Sequence, residues 1–161
     1  MFNPKLFVAH VFICFTIVVH AQNSKSFKTI SLTDVNFKPQ EISVAVSKQK
    51  PCLINFEQHQ TSIPKYFQFT CNGSGTTVTI QVTITDGSQV QTITKEVNID
   101  TNSLYEARIL PRNRNDIQLN SNSYIKSVLI VNNMDGEVNI GSCNFSNVSM
   151  INEVNINQIF T

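Results

Sequence analysis

Beyond residue 21 the chain alternates apolar and polar side chains with a period of two, and no stretch of useful length follows the 3.6-residue period of a helix. The densest signal lies in residues 124–150. Val128, Leu129, Ile130 and Val131 form an unbroken apolar run, the pattern of a strand covered on both faces and therefore central in its sheet. Residues 132–136 then supply turn chemistry, with Asp135-Gly136 suited to positive φ, before Val138 and Ile140 alternate with Glu137 and Asn139. This predicts a hairpin, with a further short segment over 145–150 pairing back onto the same sheet.

The rest of the chain follows the same rule. Residues 76–85 are the cleanest case: Val78, Ile80, Val82 and Ile84 alternate with Thr77, Thr79, Gln81 and Thr83, giving one buried face and one threonine face. Asp86-Gly87-Ser88 turns the chain, and 90–99 returns with Ile93, Val97 and Ile99 on a common face that Lys95 interrupts. Such an interruption marks either a bulge near 94–96 or an edge strand with a protective charge. Ile42, Val44 and Val46 point one way in 41–47, and Ile30 and Leu32 share a face in 27–34. Further strands are expected over 52–57, 66–70 and 104–110, the last ended by Pro111, and 154–160 alternates weakly. About ten strand candidates separated by turn residues predict an all-β fold, an antiparallel β-sandwich.

Residues 1–21 read as a cleaved signal peptide. Lys5 precedes an apolar core over 6–19 that is too short to span a membrane, and Val19-His20-Ala21 offers a cleavage site. A single domain over 22–161 in a secreted protein follows, with no membrane span. Removing Lys5 from the 12 basic residues leaves them balanced against the 11 acidic ones. A neutral chain lacks the basic surface that nucleic acid or an anionic membrane demands. Three sequons, at Asn72, Asn144 and Asn147, are expected glycosylation sites.

Cys52, Cys71 and Cys143 remain beyond the leader. Their odd number leaves one free or intermolecular. A Cys52–Cys71 disulfide would close a short loop worth about 3 kcal/mol, with Cys71–Cys143 the alternative pairing. If Cys52 and Cys71 pair, Cys143 is either a free thiol or the link in a disulfide-bonded dimer.

The order of pieces from Tyr66 to Met150 resembles the C-terminal half of galactose-binding-like jelly-roll domains, the lineage that includes many carbohydrate-binding modules. An aromatic strand (YFQF) is followed by a Val/Ile strand and short turn (TTVTIQVTITDGSQ), a pairing strand, and a strand leading into NNMDGEVNIGSCNFSNVSM. The resemblance implies a jelly-roll sandwich and glycan recognition. Where that family often carries an acidic pair near a structural calcium, this chain has Gly141-Ser142-Cys143-Asn144, so no metal or other cofactor is expected.

Sugars present an apolar face and a polar rim, which proteins meet with aromatic rings and with amide or guanidinium groups. There is no Trp, and the platforms available are Tyr66, Tyr105 and Tyr124. Arg112, Asn113 and Arg114, in the polar loop over 112–116, are the expected gripping residues; with Tyr105 and Tyr124 they make the predicted ligand site. Enzymatic chemistry finds little footing. His59 is the sole histidine beyond the leader and stands in a Gln/Thr loop without metal-ligand spacing, and Asp135 and Glu137 lie at a turn. The leading expectation is therefore a non-catalytic extracellular protein that binds a glycan. A secreted structural or protein-interaction protein is the alternative, and a small hydrolase stands behind both.

Overall fold

The computed structural model describes residues 27–32, 39–57, 62–101, 103–113 and 117–150. The expected signal peptide over 1–21, His59, Arg114 and the weak alternation over 154–160 lie outside the described residues. Among the described residues nine strands form: β1 (Lys28–Leu32), β2 (Gln40–Ser47), β3 (Cys52–Phe56), β4 (Tyr66–Asn72), β5 (Thr76–Thr85), β6 (Val90–Ile99), β7 (Ser103–Arg108), β8 (Tyr124–Asn132) and β9 (Glu137–Ser146). Among the described residues no helix is long and apolar enough to cross a membrane.

The strands make a five-stranded sheet in the order β1-β3-β8-β5-β6 and a four-stranded sheet in the order β2-β9-β4-β7. Consecutive strands from β2 to β5 alternate between the sheets, and the last strands return between the first ones. That is the jelly-roll order, a β-sandwich of two interlocked Greek keys. β1 is an addition to it, parallel to β3 where all other pairs are antiparallel.

The alternation read from the sequence sets the inward faces. Val78, Ile80, Val82 and Ile84 are buried while Thr77, Thr79, Gln81 and Thr83 face out. Ile42, Val44 and Val46 do the same for β2, and Phe67 and Phe69 for β4. Each such side chain contributes about 1.5–3 kcal/mol by leaving water. An aromatic cluster joins the layers, with ring centroids 5.1 Å apart for Phe56–Phe145, 5.4 Å for Phe67–Phe145 and 5.9 Å for Phe69–Tyr105.

Several expectations are corrected by the topology. Residues 124–140 are no hairpin: β8 lies centrally in the five-stranded sheet, as its apolar run requires, but β9 belongs to the other sheet. The connection is an arch across the sandwich. Buried Asn132 holds it, its Oδ1 accepting from Thr76 Oγ1 at 2.6 Å and from Met134 N at 3.2 Å, while its Nδ2 donates to Gly136 O at 3.2 Å. Gly136 takes φ +104° there, the left-handed value that favours glycine. The separate segment over 145–150 does not exist as a strand, because β9 runs unbroken to Ser146. Lys95 resolves as an edge charge, since β6 pairs with β5 alone and in continuous register.

The cysteines also depart from expectation. Cys52, Cys71 and Cys143 are all free and buried, so the Cys52–Cys71 disulfide is not formed. Cys143 is 2% exposed inside its own sandwich, which removes it from any surface where a second chain could bond to it.

Candidate functional site

The outer face of the four-stranded sheet carries polar side chains beside an open groove. On β4, Phe67, Phe69 and Cys71 point inward, so Tyr66, Gln68 and Thr70 point out. The register sets Thr70 beside Ser142 of β9 and Leu104 of β7, and Asn72 beside Asn139. Thr70 Oγ1 and Ser142 Oγ share a hydrogen bond of 2.9 Å.

A bulge shapes this face. Pairing with β9 slips between Thr70 and Cys71 and again between Glu41 and Val44, both opposite Gly141. A Cβ on Gly141 would stand 3.0 Å from Thr70 Oγ1, so glycine is what lets β9 approach β4 at the bulge. Beside it lies an open groove of about 460 Å³ lined by Ser43, Thr70, Asn72, Ser103, Asn139 and Gly141, with Leu104 the exposed apolar side chain in its wall. Hydroxyls and amides thus flank an aliphatic contact, a composition that suits a polyhydroxylated ligand.

The other end of the face is closed by its own hydrogen bonds. Arg108 stacks its guanidinium 5.5 Å from the Tyr66 ring centroid, donates from Nη1 to Tyr66 Oη at 3.0 Å and from Nε to Leu110 O at 2.7 Å. Glu106 binds the chain that leaves β9: Oε1 accepts from Ser149 Oγ at 2.7 Å, and Oε2 accepts from Met150 N at 2.9 Å and Gln68 Nε2 at 2.8 Å. Gln68 Nε2 also donates to Val148 O at 3.0 Å. These contacts fold 147–150 back over the sheet and leave the groove at the Asn72 end open. With both oxygens occupied, the carboxylate of Glu106 anchors this segment to the sheet.

Of the predicted site residues, Tyr105, Tyr124, Arg112 and Asn113 are not gathered on this face. Tyr105 points into the sandwich, stacked on Phe69, and its hydroxyl accepts from Asp100 N at 3.2 Å and Thr101 N at 3.0 Å while donating to Thr101 O. It ties down the β6–β7 turn. Tyr124 opens β8 in the other sheet, half-buried and opposite Thr85. Arg112 and Asn113 are exposed beyond β7. What the sequence reading missed are Ser43, Thr70, Ser103, Leu104 and Asn139, one or two from each of four strands and individually indistinguishable from ordinary outward strand residues.

The sequons differ in setting. Asn72 and Asn147 are exposed, and Asn147 Oδ1 accepts from Lys65 N at 3.2 Å. Asn144 lies within central β9 with its amide oxygen enclosed.

Among the described residues, Asp86 is a carboxylate held by four hydrogen bonds. Its Oδ1 accepts from Gln89 N, Ser88 N and Ser88 Oγ at 2.8–2.9 Å, and Oδ2 accepts from Asn120 Nδ2 at 2.6 Å. The backbone donors of Gln89 and Ser88, then the Ser88 hydroxyl and Asn120 amide, hold its carboxyl well below the usual range. It fastens the β5–β6 hairpin to residues 120–123 and does so at a turn, away from the groove. No family model, curated protein or solved structure matches the chain.

Proposed function

We propose that the chain is a secreted, non-catalytic binding protein that holds a glycan on the outer face of its four-stranded sheet. The observation that carries the reading is the groove beside Gly141, lined by Ser43, Thr70, Ser103 and Asn139 together with the exposed Leu104. A sugar offers hydroxyls to the first set and its C–H face to the second. The likeness of residues 66–150 to galactose-binding-like domains supports the same reading. The site differs from the expected loop because ligand recognition by a non-catalytic module needs several polar groups converging on one concavity, and Arg112 and Asn113 are not among the residues that line the groove.

A glycan array probed with the purified protein tests this. Binding that free sugar competes away, and that Asn139→Ala and Leu104→Ala each weaken at least tenfold with an unchanged melting temperature, is the expected result. A silent array with a defined oligomer on light scattering would replace the proposal with the protein-interaction reading.

A further inference from the structure

One of the three sequons stands at the groove itself. Asn72-Gly73-Ser74 begins at the last residue of β4, where Asn72 is exposed and opposite Asn139 of β9. Both asparagines line the groove beside Gly141, together with Thr70, Ser103 and Leu104. Ser74 is exposed in the turn that follows and is not among the lining residues. Packing explains the glycine between them, since a Cβ on Gly73 would stand 2.7 Å from Cγ1 of buried Val138. The asparagine and the hydroxyl that N-glycosylation requires are thus both presented to solvent. They stand at the lip of a concavity whose hydroxyls, amide and aliphatic side chain suit a sugar. We propose that Asn72 carries an N-glycan whose first sugars seat in the groove, so that the modified chain is closed and the unmodified chain is open.

The covalent step is a group transfer without redox change. The donor is an oligosaccharide linked through diphosphate to a lipid. The Asn72 side-chain nitrogen bonds to C1 of its first sugar, and the bond from C1 to the diphosphate oxygen breaks. The lipid diphosphate leaves with the electron pair, and the amide gives up one proton to a base of the transferase. Tethering then supplies the advantage over outside ligands. A sugar held by a short link has an effective concentration on the order of millimolar, which excludes a free glycan present at less.

The other two sequons are placed differently. Asn144 has its amide oxygen enclosed within β9, and Asn147 lies beside Lys65, in the segment that folds over the far end of the face. Of the three, Asn72 alone lines the groove. The closure rests on the groove being a ligand site of a secreted chain, as proposed above. Binding of an outside glycan is then a property of the unmodified form.

Wild-type protein and Ser74→Ala, both secreted from a glycosylating host, are compared by glycopeptide mapping, hydroxyl-radical footprinting and the glycan array. Ser74→Ala destroys the sequon without touching a lining residue, and any glycan at Asn147 is common to both proteins. The full wild-type chain made without N-glycosylation is a second unmodified form. The expected result is sugar on Asn72 of the wild type, with Leu104 oxidised several-fold more slowly than in either unmodified form. Array binding should be weaker by about tenfold or more, and Ser74→Thr, which keeps the sequon, should behave as the wild type. Protection of Leu104 in the wild type while every form is silent on the array would support the seated glycan and remove the glycan-binding reading of the groove. An Asn72 without sugar, or Leu104 oxidised equally in all forms, would overturn the proposal.

Discussion

Replacing Ile130 by Ala probes the centre of the sandwich. Ile130 is fully buried on β8, directly beside Cys52 of β3 and Ile80 of β5. Truncation removes three carbons from a site flanked by two paired strands, which cannot both move inward, so the cavity persists. Ile→Ala changes of this kind cost about 2–5 kcal/mol. For a domain of this size the loss lowers the melting temperature by roughly 4 °C per kcal/mol, or about 8–20 °C. Ile130→Val, which removes one carbon, should cost about 0.5–1.5 kcal/mol. Val131→Ala on the same strand is the control, because that side chain faces outward and is only half-buried. Urea unfolding followed by circular dichroism measures all three, and an unchanged m-value assures that the folded and unfolded references are the same. An Ile130→Ala loss below about 0.5 kcal/mol, the surface range, would refute the inward assignment of β8 and with it the sheet order.

Gly141→Ala should cost about 1 kcal/mol, because the new Cβ would meet Thr70 Oγ1 at 3.0 Å; adding Thr70→Ala should recover part of it, and additive losses would show that the contact is not the cause. Kept reduced, the protein should lose stability in alkali. Burial raises the three thiols from 9.0 to about 11, 11 and 12, so the stabilisation they give is complete below pH 9 and is lost as pH rises through the folded values; flat urea midpoints between pH 8 and 11 would contradict this. Glycopeptide mapping of protein from a glycosylating host should find sugar on the exposed Asn147 and none on Asn144, whose amide oxygen is enclosed; a modified Asn144 in folded protein would contradict its placement. Asp86→Asn should lower the melting temperature at pH 7 and leave little further loss in mild acid, since the stabilisation from a depressed carboxyl is present above its unfolded pKa and lost as pH falls toward the folded one. Equal acid sensitivity of both proteins would rule out that role for the turn.

Much of the strand layout was legible because it is local. Perfect alternation over β5 leaves one face apolar, and a one-residue slip would bury its threonines. The four-residue apolar run in β8 announced a central strand, and Lys95 announced an edge. The turn after β8 was equally visible and yet misread, since Asp135-Gly136 specifies only a reversal of direction. Whether the next strand stays in the sheet or crosses to the other depends on which partner edges are open, and here β9 fills the gap between β2 and β4. Tyr105 looked like a sugar platform for the same reason: chemistry of the side chain is in the sequence, but the face it takes follows from Phe69 across the strand pair and from the Thr101 backbone that captures its hydroxyl. The groove was invisible in the chain because Ser43, Thr70, Ser103 and Asn139 are far apart in sequence and become neighbours only through long-range pairing across four strands. Strand identity, in short-range terms, is a matter of alternation and turn residues within one segment; the groove is a property of strands β2, β9, β4 and β7 laid side by side, and that pairing is decided by the whole chain at once.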